Sequence, residues 1–194
     1  MVEQNSQASI DLQFPKATNV SINFNDNIEK WADIDFKKKI FVINFNSAPT
    51  GYLSGGFSFR MGKSIYYSKE NPYLGYMHSL SSWLTLRPSS RLKEELNFTK
   101  STFRKEKGEE LVYDYNILRC KTTYQFSKRF FLRSILEYNA YWDELTADIL
   151  LSYMYNPGTV FFFGYGGLFD TNGEVALRQN QHSFFVKISY LWRL

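Results

Sequence analysis

Apolar and polar positions alternate along most of this chain with a period of two. Counted back from the C-terminus, Leu194, Trp192, Tyr190, Ile188, Val186 and Phe184 form an unbroken apolar series, and Lys187, Ser189 and Arg193 fall between them. A strand places successive side chains on opposite faces, so this series is one face of a strand and the charged residues belong to the other. The same alternation recurs upstream. Ile10, Leu12 and Phe14 show it, as do Phe41, Ile43 and Phe45, then Phe57, Phe59 and Met61, and later Leu118, Cys120, Tyr124 and Phe126. Further strands are predicted over 76–87, 91–103, 130–140 and 146–155 on the same grounds.

Two kinds of link separate these runs. Short ones carry turn residues: Pro15, Ala48-Pro49-Thr50-Gly51, Pro88-Ser89-Ser90, Ser127-Lys128-Arg129 and Asn156-Pro157-Gly158-Thr159. In the last of these, Pro and Gly suit the two central positions of a type II turn. Longer polar links are predicted at 25–35, at 62–75, at 105–110 around Gly108, at 141–145, and after Tyr165, where Gly166, Gly167 and Gly173 read as a mobile loop. Short and long links alternate, which gives a meander of about eleven strands with the C-terminus on the short-turn side.

One face of that meander is greasy and the other carries charge. Arg119, Lys121, Arg133, Glu137, Lys187 and Arg193 all fall on the second face. Glu137, Asp148 and Glu95 are candidates for ion pairs with Arg133, Arg119 or Lys121. Glu94 alone breaks the apolar face, close to a turn, where a charge toward lipid costs about 0–1 kcal/mol. The expected fold is all-β, an antiparallel transmembrane β-barrel with a wet, slightly cationic interior. Eleven is an odd number, and joining first strand to last would make a parallel seam, so the segment is not expected to close on its own. Free edges are expected at 7–14 and 182–194. The first ten residues lack the charged and apolar regions of a secretion signal. The whole of 1–194 is therefore expected to be a single segment, the C-terminal part of a larger barrel.

Composition sharpens this picture. Aromatic residues make up 19% of the chain, as suits strands. A mean hydropathy of −0.36 and the lack of a long apolar run exclude a transmembrane helix but not a transmembrane strand. The net charge of +4 has no basic cluster of nucleic-acid type behind it, and Lys37, Lys38 and Lys39 read as a solvated strand end. Cys120 is the single cysteine, which rules out a disulfide framework and suits a small apolar side chain. His78 and His182 stand alone, and the adjacent Ser79 and Ser183 point to the opposite face. No catalytic residue, metal site or cofactor is expected, and the chain is not expected to be an enzyme.

The terminal series 184–194 resembles the strand by which Gram-negative outer-membrane barrels are recognised for assembly. Phe184, Val186, Ile188, Tyr190, Trp192 and Leu194 would carry that signal. The runs LTLRPSSRLK (84–93), LRCKTTYQFSKRFFLR (118–133), SYMYNPGTVFF (152–162) and FFVKISYLWRL resemble the C-terminal barrel of an outer-membrane family of unknown function. Full-length members carry a family-9-like carbohydrate-binding sandwich ahead of the barrel. The likeness covers 36–194, and the sandwich has no counterpart here. The resemblance implies location in the outer membrane of a Gram-negative-type bacterium, with lipid and the barrel-assembly machinery as partners. A glycan or small solute would come through the missing upstream module. Two functions follow as expectations: a polar lumen that passes or binds small solutes, or a membrane anchor for an upstream carbohydrate-binding module.

Overall fold

The computed structural model describes residues 5–105, 110–171 and 178–191, without the side chain of Gln179. Its regular structure is all strand: β1 (Asn5–Phe14), β2 (Thr18–Trp31), β3 (Ile34–Thr50), β4 (Leu53–Tyr66), β5 (Tyr73–Ser89), β6 (Leu92–Arg104), β7 (Leu111–Ser127), β8 (Phe130–Asn139), β9 (Glu144–Asn156), β10 (Thr159–Asp170) and β11 (Arg178–Tyr190). The eleven strands form one antiparallel sheet in chain order, the arrangement that hairpin links alone can build. Among the described residues no ladder joins β1 to β11, so the sheet is open, as the odd count implied. Among the described residues no helix is long and apolar enough to cross a membrane. Contacts group the chain into two compact units: Met1–Thr50 with Ser54–Trp83 and Phe98–Asn116, and Gly51–Leu53 with Leu84–Asn97 and Ile117–Leu194.

In the first unit, Val20, Ile22 and Phe24 of β2 lie opposite Phe45, Ile43 and Phe41 of β3, and Ala8, Ile10 and Leu12 of β1 continue the same face. The predicted polar loop at 25–35 is instead strand. β2 runs on to Trp31, and only Ala32 and Asp33 separate it from β3. Both have positive φ, 48° and 63°, the type I′ geometry that matches strand twist. The cause is cross-strand charge pairing, which lets polar residues stay in the ladder. Asp26 lies opposite Lys39 and takes ion pairs from both Lys37 (3.8 Å) and Lys39 (3.4 Å), while Lys38 is buried and bonds Glu29. In the lysine run Lys37 and Lys39 stay exposed while pairing along the strand and only Lys38 is buried, and the strict alternation of short and long links fails here.

The link between β4 and β5 is likewise shorter than predicted, confined to 67–72. Phe36, Val42, Ile65 and Phe103 are buried in this unit. Phe103 stacks on Tyr113 with ring centroids 5.5 Å apart, and its ring fills the space that a Cβ on Gly75 would need.

Glu29 lies past the apolar band of β2. Its hydrogen bond from Lys38 holds its carboxyl below the usual 4.5, against the opposing effect of burial, and the Tyr67 hydroxyl donates to it at 2.9 Å. Burial pushes the Tyr67 hydroxyl up, and the bond to Glu29 adds to the shift. A lowered folded-state pKa means that the unfolded chain binds the proton more readily. The contribution to stability is thus present above the ordinary carboxylate range and is lost as pH falls through the lowered value. Denaturation midpoints followed from pH 7 to pH 3 should fall less in Glu29→Gln than in the parent chain.

The second unit has a matched register across five strands. Tyr124, Leu132, Leu151, Phe163 and Val186 form one cross-strand row on β7 to β11, and Leu136 with Cys120 and Ala147 continues the same face. The predicted loop at Gly166 and Gly167 is strand, since β10 pairs with both neighbours as far as Asp170. Glycine lowers strand propensity, but here each side is held by a ladder. Gly108, Gly173, Trp192, Arg193 and Leu194 lie outside the described residues. The turn at Pro157-Gly158 forms as expected, with Gly158 at φ 98°.

Candidate functional site

The polar face of the second unit is built from alternate rows of the same ladders. One row runs Arg119, Glu137, Thr146. The next runs Lys121, Ile135, Asp148, Gly166, Ser183, and the one after it Thr123, Arg133, Leu150, Gly164, Phe185. Lys187 lies in a further row, opposite Phe162, which in turn lies opposite Ser152. Arg119, Lys121, Arg133, Glu137 and Lys187 therefore share one face, away from Phe184, Val186, Ile188 and Tyr190. The last four are 62–73% exposed in the protein chain.

Two of the expected ion pairs form. Arg119 reaches Glu137 at 3.8 Å, and Lys121 reaches Glu95 at 2.8 Å, where Lys93 joins at 2.9 Å. The Arg119 pair is partly exposed and worth little to stability. Asp148 departs from expectation. Neither it nor Arg133 makes an ion pair among the described residues, although they occupy diagonal positions on β8 and β9, roughly 7–8 Å apart by sheet geometry.

A glycine explains why this region is open. On β10 the bare position 166 leaves a recess of about 210 Å³, lined by Arg133, Ile135, Asp148, Leu150, Ser183 and Phe185, with Gly166 beneath. The Phe185 ring lies where a Gly164 Cβ would stand, and Asp148 Oδ1 and Ser183 Oγ each come to 3.1 Å of the Gly166 Cβ position. Sequence reasoning missed this recess because it assigned Gly166 to a loop. The signal was the spacing in Phe163-Gly164-Tyr165-Gly166, which keeps period two with glycine on one face only.

Glu94 does not simply approach a turn. Its Oε2 accepts a hydrogen bond from the Thr122 hydroxyl at 2.7 Å, and the Cys120 thiol lies 3.9 Å away as a weak donor. Cys120 is thus more than an apolar filler. A hydrogen bond to a charged group contributes about 1.5–3 kcal/mol. Thr122→Val should lower unfolding free energy by that order in denaturant titrations in micelles, and Thr122→Val with Glu94→Leu should restore most of it.

His182 lies opposite Gly167 with its ring 6.1 Å from Phe184, and Ser183 lies on the other face. Among the described residues no cluster of His, Cys, Asp and Glu is placed to hold a metal ion.

No protein-family model matches the chain, and no curated protein matches it. Three solved structures resemble it across its length. These are the KdgM porin (15% identity, 98% of this chain and 96% of that one, TM-score 0.41), the KdgM porin in complex with disordered oligogalacturonate (13%, 98% and 96%, 0.40), and the NanC porin (10%, 98% and 94%, 0.43).

Proposed function

We propose that this chain is a segment of an outer-membrane β-barrel in a Gram-negative-type bacterium, with its apolar face toward lipid and its polar face toward a wet interior that passes or binds small solutes. The observation that carries this reading is the register-matched apolar face of β7 to β11. Leu136, Ile149, Phe163, Val186 and Ile188 are 39–73% exposed on it. Contiguous exposed apolar area of this kind marks a membrane or protein contact in a stable protein. Strands can meet lipid only where their backbone groups are paired, as those of β8 to β10 are on both sides through these ladders.

The resemblance of 36–194 to the barrel of the unknown-function family supports the same reading. Under it, Phe184, Val186, Ile188, Tyr190, Trp192 and Leu194 form the assembly signal read by the barrel-assembly machinery. Arg119, Lys121, Arg133, Glu137, Lys187 and Arg193 line the interior. Solute handling needs no catalytic group, so this is a channel-forming or binding segment and not an enzyme. Cell fractionation tests the proposal: the chain should appear in the outer-membrane fraction and require detergent for release. Recovery as a soluble monomer without detergent would overturn it.

A further inference from the structure

We infer that the recess over Gly166 is a binding site for one ring of a neutral saccharide, a deepening that rests on the solute-handling reading above. Three kinds of group meet there. Asp148 Oδ1 and Ser183 Oγ each lie 3.1 Å from the Gly166 Cβ position, hence no more than twice that from each other, and one hydroxyl or a vicinal pair can bridge them. Arg133 supplies donors from the neighbouring row. Phe185 lies over Gly164 and is 51% exposed, so part of its ring stays free to meet a ligand.

The charge balance selects the ligand class. Arg133 and Asp148 have no ion-pair partner among the described residues, and together they are neutral. A polyanion would meet the Asp148 carboxylate and a cation the Arg133 guanidinium. A sugar hydroxyl satisfies both, because it donates to a carboxylate and accepts from a guanidinium. A zwitterion could also satisfy both charges, but it offers nothing to the free part of the Phe185 ring, whereas a pyranose presents an apolar C–H face. With no Cβ at Gly166, and with Phe185 laid down over Gly164, a ring can settle beside Phe185 between β9 and β11. Those strands stand roughly 10 Å apart at two strand spacings.

The test uses the full chain in an amine-oxide detergent, since sugar-headed detergents would compete. Saturation-transfer NMR and titration would compare maltose, cellobiose and lactose with trigalacturonate as the anionic probe and glycylglycine as the zwitterionic one. The expected result is millimolar binding of a neutral disaccharide, at least fivefold tighter than either charged probe. Asp148→Asn and Phe185→Ala should each weaken it at least fivefold, and Gly166→Val should abolish it. Equal binding by the parent and by Asp148→Asn and Phe185→Ala would overturn the assignment, as would tighter binding of trigalacturonate or glycylglycine, or no neutral binding at 50 mM, a concentration set roughly tenfold above the expected range. Fractionation of the same cells separates the two proposals. A membrane-embedded parent chain that binds no sugar refutes the recess alone, and a chain soluble without detergent refutes the membrane reading independently.

Discussion

Leu136→Arg should all but remove the chain from the outer-membrane fraction. Leu136 sits between Cys120 and Ala147 on the apolar face of β7 to β9, in the interior of the ten-residue strand β8. An arginine near the bilayer midplane costs roughly 2–4 kcal/mol on the lipid face, a large share of the 5–15 kcal/mol that typically holds a domain folded. The neighbouring residue makes the control. Arg133 already carries a guanidinium on the other face, and Ile135→Arg, opposite both Lys121 and Asp148 on that face, should be tolerated with losses under about 1 kcal/mol. Quantitative immunoblots of fractionated membranes, with urea titration of the refolded variants, read the difference. Equal losses from Leu136→Arg and Ile135→Arg would mean that the two faces are not lipid and water.

Gly62→Val should break the pairing of β3 with β4. Gly62 has φ 146°, a conformation L side chains rarely adopt, and an added Cβ would land on the Lys39 carbonyl oxygen and lie 2.9 Å from Ile40 Cα. Backbone cannot rotate out of the way as a side chain could. The dihedral strain alone costs about 1–3 kcal/mol, and relief of the clash needs the strands to separate. Gly51 is the contrast, with nothing within 4 Å of its Cβ position and no positive φ. Gly51→Ala should change stability by less than about 0.5 kcal/mol. Hydrogen exchange on β3 and β4 in micelles should quicken in Gly62→Val and stay at the parent rate in Gly51→Ala.

The strand count, the antiparallel meander, the open ends and the separation of the two faces were all legible in the sequence. Alternation is a local property: a strand turns each successive side chain over whatever its neighbours are, so Phe184, Val186 and Ile188 declare their shared face without any partner. Turn chemistry is local as well. Pro157 and Gly158 prefer their geometry, and Ser89 Oγ accepts from the backbone N–H of Arg91 and Leu92 as a serine at a tight reversal can. What only the tertiary structure decided was which polar stretches leave the sheet and which charges meet. Asn25 to Trp31 looks like a loop in isolation, yet Lys37, Lys38 and Lys39 across the ladder supply the countercharge that keeps it in strand. Glu94 looks like an intruder until β7 brings the Thr122 hydroxyl to it. Asp148 and Arg133 look like a pair, but register sets them on a diagonal, and Gly166 on β10 turns that gap into a recess. Cross-strand register is set by turns and ladders far from the residues it brings together, so no window along the chain contains it.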